Sequence, residues 1–254
     1  MLGAKEIANY TCVVGEGKVH KAVIKTLISA MMAGMFIGLG YYGYLTIAAN
    51  TIDPMIGRVL GAFIFPVGII LVVFTGTDLF TGNCLVTLGY FEKRYSFSKV
   101  IKNLALVYVG NLLGALMLVL FFYGSKMLDH TITIEYIKNL SLQKTNLGFS
   151  EAIFRGIICN ILVSLSVYIS YASKEAMGKI AALLLVVMLF VITGTEHSVA
   201  NMFILPIAYL YNGDFTIMDI IFKNLLPVTI GNTISGAILV QGAYYLIFLK
   251  DQVK

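Results

Sequence analysis

The chain has 254 residues, 59% of them hydrophobic and 12% charged, with a mean hydropathy of +0.88 and a formal net charge of +5. That is too little polar surface to cover a water-soluble globule, and it marks an integral membrane protein. The basic residues are scattered over short segments, which speaks against a nucleic-acid surface and ties the excess charge to membrane orientation.

Residues 1–21 interleave Ile7, Ala8, Val13 and Val14 with polar side chains. That pattern suits either a short amphipathic helix on the membrane surface or an ordinary surface segment. The first 25 residues carry six charged side chains and no compact apolar stretch ending in a small-residue cleavage site, so no cleavable signal peptide is expected. At about 20 apolar residues for each crossing, the spans are Leu27 to Ala49, Gly57 to Leu88, Leu104 to Tyr123, Ser150 to Ala172, Ile180 to Tyr211 and Leu225 to Leu249. The second and fifth are long and interrupted by polar residues. Six crossings place both termini on one side. That side carries twelve lysines and arginines, from Lys5 to Lys254, against six on the other (Arg58, Lys126, Lys138, Lys144, Arg155 and Lys223). The bias predicts cytoplasmic termini. The loop from Gly124 to about Phe149, with His130, Glu135, Lys138 and Lys144, is too long for a bare turn, and part of it could fold back towards the mouth of a pore. Cys12, Cys84 and Cys159 lie far apart without metal or redox spacing and read as packing residues. No cofactor or metal is expected. No linker divides the chain, so it reads as a single domain, 1–254.

Two polar stretches interrupt this apolar background. Thr193-Gly194-Thr195-Glu196-His197-Ser198-Val199-Ala200-Asn201-Met202 puts a carboxylate and an imidazole between runs fit for lipid, where ionisable groups default to a functional site facing a cavity. Thr75-Gly76-Thr77-Asp78-Leu79-Phe80-Thr81-Gly82-Asn83-Cys84 repeats its Thr-Gly-Thr-acid opening and its ninth-place asparagine. Downstream, Asn103-Leu104 and Gly110-Asn111 answer Asn224-Leu225 and Gly231-Asn232. Two halves of three spans each, 22–125 and 150–249, must have opposite orientation, which makes an inverted repeat with broken second and fifth helices. Non-helical backbone at that depth must be buried in protein or line a wet cavity. Gly76 and Gly194 permit its geometry. Asp78 and Glu196 are expected to brace it, with direct contact to a permeant as the other reading. The positive ends of broken helices would favour an anion.

Asp78-Leu79-Phe80-Thr81, Gly194-Thr195-Glu196-His197-Ser198-Val199-Ala200-Asn201-Met202-Phe203 and Cys159-Asn160-Ile161-Leu162-Val163 resemble the signatures of the formate/nitrite transporter family, and the Thr-Gly-Asn-Cys run after Phe80 is most similar to its hydrosulfide channel branch. The resemblance implies an all-α protomer of six transmembrane helices, aquaporin-like and assembled as a homopentamer in the plasma (cell inner) membrane. It places the central pore histidine on His197 and the threonine facing it on Thr81. It places pore asparagines on Asn160 and Asn232, hydrophobic constrictions on Phe65, Leu79, Val163 and Phe190, and a lysine near the external mouth on Lys144. By themselves Phe65, Val163 and Phe190 could equally be packing residues, and Lys144 a plain loop lysine. The function implied is a passive channel for small monovalent anions of weak acids, hydrosulfide first and then formate and nitrite. His197 would assist by lending a proton that lets the permeant cross apolar rings as a neutral acid.

A proton-coupled formate or nitrite symporter shares every one of these features, and a neutral-solute channel is a further class. An intramembrane enzyme would need a nucleophile or metal set, yet the chain has neither a His-x-x-x-His pair nor a Gly-x-Ser-x-Gly elbow. The small residues Gly34, Gly38, Gly110, Gly114, Gly231 and Ser235 at four-residue spacing predict close helix contacts, either within a protomer or between protomers.

Overall fold

In lipid each backbone N–H and C=O must find its partner inside the chain, so an apolar sequence of this length is driven to helices. The computed structural model describes residues 1–250, and Lys254, counted above for orientation, lies outside them. Every regular element among the described residues is helical. In chain order they are α1 (Ala4–Val19), α2 (Val23–Asn50), α3 (Pro54–Ile64), α4 (Val67–Thr75), α5 (Phe80–Asn83) and α6 (Thr87–Phe91). There follow α7 (Phe97–Ser125), α8 (Ile132–Thr145), α9 (Phe149–Ser170), α10 (Ala176–Ile192), α11 (Ser198–Leu210) and a last helix, α12 (Asp219–Leu249), wound partly with wide π turns.

Five stretches are long and apolar enough to cross a membrane: α2, α3 with α4, α7, α9 and α12. Six crossings were expected. The remaining stretch, Ile180 to Tyr211, is divided between α10 and α11, each shorter than a span. Helix ends also run beyond the apolar runs, with α2 starting at Val23 and α7 at Phe97. Once a helix is nucleated, adding a residue gains a backbone bond, so it continues through the polar interface.

Gly34, Gly114 and Gly231 make close helix contacts within the chain. A Cβ on Gly34 would stand 2.1 Å from Asn111 O, and one on Gly114 would stand 1.9 Å from Met31 O, so α2 and α7 touch backbone to backbone. The pair α9 and α12 does the same, with a Cβ on Gly231 standing 2.1 Å from Ile153 O. Gly114→Ala should therefore force α2 and α7 apart at a cost of about 1–3 kcal/mol, read as a lower thermal midpoint of the purified protein. Gly124→Ala, with nothing within 4 Å of its Cβ, should leave the midpoint unchanged.

Helix α1 buries Ile7, Ala8, Thr11, Cys12 and Gly15 on one face, while Val13, expected on that face, is exposed. The Glu6 carboxylate accepts the Gly3 N–H at 2.7 Å and starts the helix. Leu2 N donates to Ala172 O and the Tyr168 hydroxyl to Ala4 O, tying this segment to the end of α9. All three cysteines are free and buried, and burial pushes the Cys12 thiol up to about 11, an unreactive packing residue.

The long loop after α7 contains a helix. Thr131 Oγ1 accepts the Ile134 N–H at 3.2 Å and opens α8, which leans on α2 and α11 through Asn50 to Thr133 and Ser141 to Ile204 O. Its last turn carries Lys144 inwards. Helix α11 is buried on nearly every side and occupies the middle of the bundle.

Candidate functional site

Two breaks in the helices meet at the centre. Helix α4 ends at Thr75 and α10 at Ile192, and in both breaks a glycine, Gly76 or Gly194, takes φ +69°, a backbone setting that disfavours side chains with a β-carbon. Helix then restarts at Phe80 and at Ser198. Leu79 and His197 occupy the same place, directly before each restart.

An asparagine from a neighbouring helix holds each restart. Asn111 Oδ1 accepts the Phe80 N–H at 2.8 Å, and its Nδ2 donates to Asp78 O and Ala30 O. Asn232 Oδ1 accepts the Ser198 N–H at 2.9 Å, and its Nδ2 donates to Glu196 O and Gly156 O. The amide of Asn232 is thus fully engaged with backbone. Asn160 gives its Nδ2 to Asn232 O at 2.7 Å and accepts from Ser164.

The acidic residues carry matching networks. Asp78 Oδ1 receives Lys18 Nζ at 2.6 Å and Asn83 Nδ2 at 3.3 Å, and Oδ2 receives Lys21 Nζ at 2.6 Å and Ser29 Oγ at 2.8 Å. Glu196 Oε1 receives Lys144 Nζ at 2.8 Å, and Oε2 receives Asn201 Nδ2 at 2.6 Å and Asn224 Nδ2 at 3.3 Å. Asn103 links Asn83 to Lys18 O as Asn224 links Asn201 to Lys144 O. Lys144, expected at the mouth, is only 8% exposed and committed to Glu196. Buried carboxylates at this depth require such partners.

His197 meets the other break directly. Its Nδ1 accepts the Ala200 N–H at 3.0 Å, and a backbone N–H can only donate, so Nδ1 is unprotonated. The neutral ring therefore carries its proton on Nε2 and donates to Thr81 Oγ1 at 3.0 Å. The Thr81 hydroxyl keeps its own proton to offer. Ser198 Oγ, beside the ring in sequence, is buried without a hydrogen-bond partner among the described residues. Phe190 stacks on His197 at 6.0 Å, Phe65 packs edge-on to Phe190 at 5.3 Å, and Tyr41 edge-on to Phe65 at 5.4 Å. Leu79 and Val163 are equally buried.

Sequence reasoning treated Lys18 and Lys21 only as orientation charges and Asn103, Asn111 and Asn224 only as marks of the repeat. Extending the alignment upstream, from Lys144 back to Lys18, would have found a lysine ahead of each half. Their pairing with an acid was hidden by distance, since Lys18 lies 60 positions from Asp78.

Comparison with known proteins gives one consistent picture. The profile described as formate/nitrite transporter matches residues 5–246. The formate channel FocA of Escherichia coli (strain K12) is 34% identical over 260 residues, which cover 93% of this chain and 91% of that protein. Among solved structures, a pentameric formate channel with formate bound superposes with a TM-score of 0.82 at 30% identity, covering 89% of this chain and 98% of its own. An ion channel of the FNT family superposes at 0.85 with 27% identity, covering 96% and 97%.

Proposed function

Since the chain belongs to the formate/nitrite transporter family, we propose that it is a passive channel for small monovalent anions of weak acids, with formate as its leading permeant. The observation that carries this reading is the 3.0 Å contact between Thr81 and His197, which joins the two helix breaks inside an apolar shell. Formate comes first because the relatives above are formate channels. Hydrosulfide, expected from the Thr81-Gly82-Asn83-Cys84 run, stands as the alternative, and nitrite has the same charge and a similar size.

Leu79, Phe65, Phe190 and Val163 form the constrictions, which exclude water and multiply charged ions because dehydrating a charge is expensive. Between them the Thr81 hydroxyl donates to the anion, while its oxygen is polarised by the Nε2–H of His197. A proton handed on through Thr81 leaves the ring one proton short. For His197 to lend one, Nδ1 must first release the Ala200 N–H and take a proton from water. Asn160 and Asn232 act as braces for the second break, and Asp78 and Glu196 neutralise the lysines that anchor both. The repeats then each begin one helix earlier than spacing suggests, at α1 and α8, because Lys18 and Lys144 do the same work. The assembly is a homopentamer with six crossings per protomer and both termini in the cytoplasm, embedded in the plasma membrane.

Anion flux into proteoliposomes, with formate, nitrite, hydrosulfide, acetate and sulfate at matched pH, tests the reading. Monovalent weak-acid anions should pass and sulfate should not. A hydrogen bond to a charged group contributes about 1.5–3 kcal/mol, so His197→Phe should slow formate by roughly tenfold or more and flatten the pH profile. His197→Asn retains a cap for Ala200 and separates that effect from folding. Unchanged rates and profile in His197→Phe would remove the histidine from the mechanism, and uphill accumulation under an imposed pH gradient would turn the channel into a symporter.

A further inference from the structure

Helices α7 and α12 carry the asparagines that hold the two breaks, one in each half of the chain, yet they share few close contacts. Among the described residues a single side-chain hydrogen bond joins them. Thr229 Oγ1, on α12, donates to the Tyr108 hydroxyl oxygen, on α7, at 3.1 Å. Both residues are half-buried.

The bond stands in register with both clamps. Tyr108 lies three residues before Asn111 and Thr229 three residues before Asn232, so on each helix the bridging side chain shares a face with the asparagine that holds a restart. In α12, where the turns are wide up to Leu225 and again from Ile234, Thr229 and Asn232 lie together in the regular stretch Leu226–Thr233. Tyr108 also touches the first break through its ring. Phe80, the first residue of α5, packs against it edge-on with ring centroids 5.1 Å apart. Thr81 follows Phe80 directly, and His197 directly precedes Ser198. Direct contacts therefore run from the Thr81 break through Phe80, Tyr108 and Thr229 to the helix whose Asn232 carries the His197 break.

Such a chain of contacts fixes a distance. The 3.0 Å approach of Thr81 to His197 needs the two restarts at one separation, and each restart is tied to its own helix by an asparagine amide. The spacing of α7 and α12 then sets how far apart the restarts stand, and the Tyr108–Thr229 bond is the direct link that holds it.

We infer that Tyr108 and Thr229 are positioning residues for permeation: their bond holds the restarts at the separation that fits formate between Thr81 and His197 and disfavours an acid with one more carbon. The inference rests on the channel reading above. Neither residue needs to touch the permeant, because both act through Phe80, Asn111 and Asn232.

The test compares formate with acetate flux in proteoliposomes, per folded protein, for the wild type, Tyr108→Phe, Thr229→Val and the double variant. Each substitution keeps the shape of the side chain and removes one hydroxyl. Each should raise the acetate-to-formate ratio roughly threefold, the equivalent of an average interhelical hydrogen bond in a membrane protein. The double variant should add nothing further, since either change alone breaks the bond. Thr229→Ser, which retains the hydroxyl, should restore the wild-type ratio. Thr233→Val removes a hydroxyl one turn further along α12 that bonds to Thr229 O in its own helix, and it should leave the ratio as it is. A purely structural role would lower the thermal midpoint and both fluxes together without moving the ratio. An unchanged ratio in Tyr108→Phe and Thr229→Val while formate still passes, or additive effects in the double variant, overturns the inference and leaves the channel reading standing. A wild-type protein that passes no small anion overturns both.

Discussion

Glu196→Ala is expected to destabilise the folded protein by about 3–5 kcal/mol. The substitution leaves the Lys144 ammonium, whose side chain is 9% exposed, without its carboxylate 2.8 Å away. Asn201 and Asn224 lose a shared acceptor in the same stroke. Unfolding in mixed micelles by a denaturing detergent measures the loss, and the double variant Glu196→Ala with Lys144→Met should recover most of it, since no charge is then stranded. The corresponding Asp78→Ala should cost less, about 1 kcal/mol, because Lys18 and Lys21 are 23% and 30% exposed and can be rehydrated. A Glu196→Ala protein as stable as the wild type would mean that the pair does not hold the second break.

Asn232→Leu should be comparably severe and should also abolish flux. One amide serves Ser198 N, Glu196 O and Gly156 O. Gly156 O keeps its bond inside α9, but Ser198 N and Glu196 O are left unpaired at about 1–3 kcal/mol each, which exceeds what most single changes cost. The loss falls next to His197, so the ring should leave Thr81 even where the protein still folds. Asn111→Leu should match it, since that residue serves Phe80 N, Asp78 O and Ala30 O in the same way. Asn232→Asp, which retains the acceptor for Ser198, should fall between. Thermal midpoints together with formate flux decide the point, and a folded, conducting Asn232→Leu would show that the second break is held elsewhere.

The breaks were legible in the sequence because their chemistry is local. A Thr-Gly-Thr-acid run can be read twice in one chain, and both glycines take the left-handed turn that such a break requires. Spans were legible because hydropathy reports solvent, but their ends were not, since backbone pairing carries a helix past its apolar residues. Helix α8 was read as loop: Ile132–Thr145 is largely polar, and its inward face is set by packing on α2 and α11, which no local pattern records. The partners of the buried side chains were the least legible part. Asn232 and Lys144 look like free pore groups until the carbonyls and carboxylate they serve are brought to them by residues tens of positions away.

Leu79 and His197, each directly before a helix restart with an asparagine beneath the next N–H, set two unlike side chains on one kind of backbone support. One is a buried apolar side chain and the other an aromatic ring with an exchangeable proton, while the asparagine beneath each accepts the next N–H in the same way. The backbone support at each place therefore does not depend on which side chain stands there, and exchanging Leu79 leaves the bonds of Asn232 intact.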